Sequence, residues 1–113
     1  MERRLIQKVI SMAEFVTVAQ TSDVPEGEML LVELDDEGIA IANVEGNYYA
    51  FSAECTHAGG PLDEGDLDGE TLTCPWHGGQ YDVKTGRVIG PPPQEDIPTY
   101  QVKVEGTDIK IAR

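Results

Sequence analysis

Every cysteine and every histidine of this 113-residue chain falls in two short runs, Cys55-Thr56-His57 and Cys74-Pro75-Trp76-His77, separated by sixteen residues. Cysteine and histidine are the side chains that bind soft and borderline metals well, so using up both types in one paired pattern points to a metal site. A shared metal centre requires two loops to meet in space. That requirement constrains the fold more than any other feature of the sequence.

Around these runs the chain has the punctuation of an all-β domain with short strands. Glu14 to Val18 is strand-like. Glu28 to Leu34 reads as a strand, Asp35 to Gly38 as a turn and Ile39 to Val44 as the returning strand. Glu45-Gly46-Asn47 makes a second tight turn into Tyr48 to Ser52, whose aromatic and small residues suit a strand crossing a core. Near the end, Val102 and Val104 share one face of a strand from Tyr100 to Val104. Gly106 turns the chain, and Ile109 and Ile111 alternate again. The two ends of the chain are therefore expected in one antiparallel base.

At 113 residues the chain supports one domain with a modest core. Residues 1–11 read as an N-terminal extension, with Leu5, Ile6, Val9 and Ile10 forming a weak helical stripe that has no N-cap. Residues 12–113 form the domain. Within it, residues 53–98 are rich in Gly and Pro, with brief strand signals at Glu70 to Thr73 and Gln80 to Val83 and a turn at Lys84 to Arg87. So few apolar side chains are expected to need a metal cross-link in place of a core of their own.

The choice of metal follows from the spacing. A single zinc ion accepts a Cys2His2 set, but zinc sites usually place paired ligands two to four residues apart. The one-residue gap of Cys55-x-His57 sends both side chains in nearly parallel directions from an extended backbone, which favours a wider target such as two irons. On these residues the sequence resembles the Rieske-type [2Fe-2S] family, in which two histidines replace two cysteines on one iron. The similarity continues through Cys55-Thr56-His57-Ala58-Gly59-Gly60-Pro61-Leu62, Cys74-Pro75-Trp76-His77-Gly78, Tyr81-Asp82, Thr85-Gly86 and Gly90-Pro91-Pro92. With the flanking strands it covers roughly Phe15 to Ile111 and is closest in kind to the soluble ferredoxins.

The resemblance implies a Rieske fold, an antiparallel β-sandwich base carrying a small loop-rich cluster-binding subdomain at about residues 53–98. It implies one [2Fe-2S] cluster, with Cys55 and Cys74 on the inner iron and His57 and His77 on the outer. Thiolates donate charge strongly and neutral imidazoles do not, so an added electron should settle on the histidine-held iron. His57 and His77 are then the entry and exit for electrons. Gly59, Gly60, Gly78 and Gly79 are candidates for bringing backbone N–H groups near the sulfides, although glycines there also serve as turn residues. The Gly90 to Pro93 run, with Pro91 and Pro92, reads either as a stiff cover or as a connector, and Trp76 as a packing residue.

Respiratory members of the family carry an extra disulfide at the positions of Gly60 and Trp76, a serine at the position of Gly79, and a tyrosine matched here by Tyr81. The missing serine removes one stabiliser of reduced charge, and a lower potential is expected.

Twenty-one acidic against eight basic residues give a formal net charge of −13. That excess repels nucleic acid and anionic lipid and favours basic protein partners. Asp63, Glu64, Asp66, Asp68 and Glu70 lie between the ligand runs with no basic residue among them, either as a solvated face or as a docking surface. Arg3-Arg4 hints at an export signal, but no adequate apolar region follows, so a cytoplasmic location is expected. Oxygenases containing such a domain hold a second iron on further histidines, and this sequence has none to spare. The expected function is one-electron transfer, not catalysis, between a flavin reductase and a terminal oxygenase. The alternatives are a small redox subunit of a nitrite reductase and a structural metal-binding interaction module.

Overall fold

A computed structural model describes residues 15–34, 36–54, 61–76, 78–90 and 95–112. Among the described residues, ten strands form two antiparallel sheets, accompanied by two short 3-10 turns. The strands are β1 (Val16–Gln20), β2 (Met29–Leu34), β3 (Glu37–Val44), β4 (Asn47–Ser52), β5 (Asp66–Asp68), β6 (Thr71–Thr73), β7 (Gln80–Asp82), β8 (Val88–Gly90), β9 (Thr99–Glu105) and β10 (Asp108–Ala112). The larger sheet has the order β1-β10-β9-β4-β3-β2, and the smaller has β5-β6-β7-β8. The all-β class and the pairing of the two ends of the chain are as expected, since β10 lies between β1 and β9.

The large sheet curls so that its outer strands β1 and β2 approach each other. Ala19, Ile39, Ile41, Ala50, Ile109 and Ile111 meet inside the curl. Val102 packs against this cluster, while Val104 on the same face of β9 is exposed beyond it.

β3 is the partition of the molecule, because side chains of a strand alternate between its two faces and both faces are covered here. Ile39 and Ile41 point into the base, and Ala40, Ala42 and Val44 belong to a second core shared with the small sheet. Large and small residues are paired across β3 and β4: Ala40 faces Phe51, and Ile41 faces Ala50. Such pairing fills each face without overpacking either. The alanine face keeps β3 thin where the small sheet comes down on it.

Two hairpin turns set this register. β2 and β3 are joined by two residues, with Leu34 opposite Glu37, and Asp36 has φ 67°. β3 and β4 are joined by Glu45 and Gly46, with φ 55° and 87°. Both resemble the tight turns that need left-handed residues. Because the first turn takes two residues and not four, β3 starts at Glu37, two residues earlier than the sequence reading placed it. Asn43, only 5% exposed, ties the second turn down. Its side-chain amide donates to the Val24 carbonyl at 2.8 Å, and its Oδ1 accepts from Gly46 N–H at 2.9 Å.

Adjacent strands β4 and β9 are separated in sequence by residues 53–98, so the small subdomain is an insertion that leaves and re-enters the base at one point. Ser52 N–H donates to the Pro98 carbonyl at 2.9 Å and closes that point. The expectation that this segment lacks a core is corrected by the structure. Leu62, Leu72, Cys74, Tyr81, Val83 and Ile97 are buried together with Ala40, Ala42 and Phe51 of the base. Each large aliphatic side chain so buried contributes about 1.5–3 kcal/mol. The sequence scan also missed β5 and β8, whose three-residue lengths carry too little periodicity to register. In space Leu67, Leu72, Tyr81 and Val88 are successive partners across the four short strands, with a register shift beside Tyr81.

Candidate metal centre

Of the four expected ligands, Cys74 lies within the described residues, and Cys55, His57 and His77 lie outside them, as do Gly59, Gly60, Pro91 and Pro92. The structure nevertheless defines the base of both loops. β6 and β7 form a hairpin whose last pair is Thr73 with Gln80. Cys74 N–H donates to the Gly79 carbonyl at 2.7 Å, closing the loop of residues 74–79. Gly78 in that loop has φ 74°, a conformation in which a side chain would be strained.

The first loop is clamped in a similar way. Glu54 bridges to Pro61, Leu62 N–H donates to the Ala53 carbonyl at 2.8 Å, and a 3-10 turn over Leu62–Glu64 follows. Ala53, Leu62 and Cys74 belong to one buried cluster, at 5%, 0% and 2% exposure. Two loops far apart in sequence are therefore seated on a common floor.

Cys74 has the surroundings of a ligand to positive charge. Its sulfur accepts the backbone N–H of Trp76 at 3.4 Å. An N–H aimed at sulfur favours the thiolate, the form that binds metal. In apolar surroundings a thiolate needs a cationic partner, and an iron centre supplies one. The residues present thus fit the inner half of an iron–sulfur site. Tyr81 is fully buried in the same cluster, and Gly79 is buried at the loop's foot.

Trp76 is not a packing residue. It is 47% exposed, because its backbone faces the sulfur and its side chain is left at the tip of the loop. Ile89 on the edge strand β8 is 54% exposed, and the sequence reading missed it. The only available signal was an apolar side chain beside a Gly-Pro run, which gives no information about exposure. Four of the five acidic residues between the ligand runs sit at the other edge: Asp66 and Asp68 are exposed on β5, with Glu64 and Glu70 exposed next to it.

A curled antiparallel base with a small sheet inserted between two neighbouring strands, and a buried cysteine at the foot of a loop of that insertion, defines a metal-binding domain. The chain belongs to the Rieske [2Fe-2S] domain family, whose model matches residues 14–101, and its cofactor is one [2Fe-2S] cluster. It is 39% identical over 98 residues to the biphenyl dioxygenase ferredoxin subunit of Pseudomonas sp. (strain KKS102), covering 86% of this chain and 90% of that protein. It is 41% identical over 91 residues to the 3-phenylpropionate/cinnamic acid dioxygenase ferredoxin subunit of Shigella boydii serotype 4 (strain Sb227), covering 80% and 85%. Among solved structures it is similar to the Sphingomonas yanoikuyae B1 ferredoxin, with TM-score 0.84, 32% identity, and 88% and 99% of the two chains covered. Among the described residues, no helix is long and apolar enough to cross a membrane.

Proposed function

We propose that this chain is a one-electron carrier that accepts electrons from a flavin reductase and passes them to a terminal ring-hydroxylating oxygenase in the cytoplasm. The observation that carries this reading is how much of each relative the chain matches. It spans 90% of the biphenyl dioxygenase ferredoxin subunit but 29% of the terminal oxygenase of carbazole 1,9a-dioxygenase from Nocardioides aromaticivorans IC177. A similar ferredoxin, 30% identical with TM-score 0.83, is known in complex with the oxygenase of a carbazole 1,9a-dioxygenase.

In this reading Cys55 and Cys74 hold the inner iron, and His57 and His77 hold the outer iron. The cluster supplies reversible one-electron chemistry. The chain's own residues set the conditions for it. The floor formed by Ala53, Leu62 and Tyr81 excludes water from Cys74, and the Trp76 N–H adds positive potential at its sulfur. The exposed Trp76 and Ile89 side chains offer apolar contact next to the site, and the acidic residues on and beside β5 favour partners with basic patches.

The test is stopped-flow reduction of a purified terminal oxygenase by the reduced protein. Transfer should slow as ionic strength rises, and Trp76→Ala should slow it further while leaving the visible spectrum of the cluster unchanged. Failure to reduce any ring-hydroxylating oxygenase, with rapid transfer to a nitrite reductase, would reject the assignment.

A further inference from the structure

The large sheet is only partly closed between β4 and β9. Pairing starts where Ser52 N–H donates to the Pro98 carbonyl at 2.9 Å, continues through Thr99 with Phe51 and Tyr100 with Ala50, and stops there. In an antiparallel ladder, the backbone groups aimed at one neighbour come from every second residue. Ser52 and Ala50 aim theirs at β9, so the next in the series are Tyr48 on β4 and Val102 and Val104 on β9. β10 pairs with the opposite side of β9 and does not take up the Val102 and Val104 groups. Among the described residues these two positions form an open strand edge, and the Val104 side chain is 43% exposed beside it.

Where the two strands part, a groove of about 250 Å³ opens. Tyr48, Tyr49, Thr99 and Val102 line it, together with Lys84 from the turn after β7. In a chain with twenty-one acidic residues, no carboxylate is among the described residues that line this groove. Grooves elsewhere on the surface carry Glu26 and Glu45, or Asp36, Glu37 and Glu54, and no cation. Lys84 is exposed and has no ion pair among the described residues. The split between β4 and β9 is therefore a locally positive place on a negative molecule.

We infer that this split is a docking site for an extended acidic peptide segment of a partner protein, which adds a strand to β9 at Val102 and Val104 and sets a carboxylate against Lys84. A row of N–H and C=O groups at period two is satisfied in register by another extended backbone, which selects a peptide over a compact ligand. In strand addition the main-chain bonds supply affinity and the flanking side chains supply specificity. The net charge of −13 works against a second copy of this chain as the occupant, whereas a short peptide brings little charge and meets the lysine. Gly79 precedes β7 and Lys84 follows it, so the groove and the second ligand loop lie at opposite ends of that strand. A partner tail held here does not cover the metal centre, and it keeps the two proteins together at a raised effective concentration.

The experiment titrates isotope-labelled holoprotein with the peptide acetyl-Thr-Val-Glu-Val-Thr-Val-amide, read by amide shifts and hydrogen exchange, so its outcome does not depend on which protein exchanges electrons with the cluster. The Val102 and Val104 amides should exchange quickly in the free protein and about tenfold more slowly with peptide bound. Lys84→Glu, or lysine in place of the peptide's glutamate, should each weaken binding about fivefold, and combining the two should restore it. Val104→Pro removes a donor from the open side of the strand without breaking a bond to β10, and it should weaken binding as well. Both protein variants retain the visible spectrum of the cluster. No change at Val102 and Val104 in millimolar peptide overturns the proposal, as does equal binding of the glutamate and lysine peptides. Slow exchange of these amides without peptide also overturns it, because this chain or a second copy would then already cover the edge.

Discussion

Gly86 holds the small subdomain to the base, and replacing it with alanine tests that role. It sits at φ 79° in the turn between β7 and β8, accepts Ile97 N–H at 2.8 Å and donates to the Asp82 carbonyl at 2.7 Å. A Cβ at this position would overlap the Ile97 carbonyl oxygen and lie 2.8 Å from Thr99 Cγ2. A carbonyl held by its own strand connection cannot swing aside, so the segment 97–99 must shift as a unit. Three costs then combine: about 1–2 kcal/mol for left-handed alanine, about 1 kcal/mol for the loss of the Ile97 hydrogen bond, and about 1–2 kcal/mol for partial exposure of Ile97. The sum is roughly 3–5 kcal/mol, which for a chain of this size lowers the melting temperature by about 12–20 °C. Gly106 is the control, because its φ is 61° but a Cβ there meets nothing within 4 Å. Gly106→Ala should cost the conformational part alone, about 1–2 kcal/mol, or about 4–8 °C. Melting followed by far-ultraviolet circular dichroism measures both. Equal losses in the two variants would refute the close-approach argument.

The other perturbations act on turns, surface charge and the cluster's surroundings. Glu45 carries a side chain at φ 55° in an exposed hairpin turn, so Glu45→Asn should stabilise the protein by about 0.5–1 kcal/mol, read as a raised denaturation midpoint. Glu105 accepts from Lys110 at 2.7 Å and pairs with Lys103 at 3.0 Å, and these contacts hold its carboxyl down at about 2. The folded value lies below the ordinary one of 4.5, so this triad stabilises above that pH and its contribution fades as pH falls toward 2. Carbon NMR of the Glu105 carboxyl should show the depressed titration, and added salt should raise it, since all three groups are exposed. Gly79→Ser restores a hydroxyl near the cluster and should raise its reduction potential in voltammetry. A hydrogen bond strengthened by about 1.4 kcal/mol on reduction corresponds to about 60 mV for one electron.

Much of this was legible in the sequence because it depends on local pattern. Alternation placed β9 and β10, strand-forming runs between turn residues placed β2 and β4 and their hairpins, and the spacing of Cys55, His57, Cys74 and His77, through the family resemblance, pointed to the cofactor. Elements of three residues were not legible, since β5 and β8 hold too few positions for a period to emerge. The composition of residues 53–98 was misleading because it counted apolar residues within the segment, whereas Leu62, Leu72 and Tyr81 complete their core with Ala40, Ala42 and Phe51 of the base.

The sequence by itself therefore determined the chemistry, because which atoms bind metal is a property of side chains and their spacing. It also determined the all-β class, because period-two alternation is a property of neighbouring residues. Only the tertiary structure decided where the site sits. Insertion of the small subdomain between adjacent strands β4 and β9 brings Ala53, Leu62 and Cys74 onto one floor, and the hydrogen bond from Trp76 N–H to the Cys74 sulfur leaves the indole outside. Both depend on contacts between residues distant in sequence, and packing across a partition one strand thick settles them.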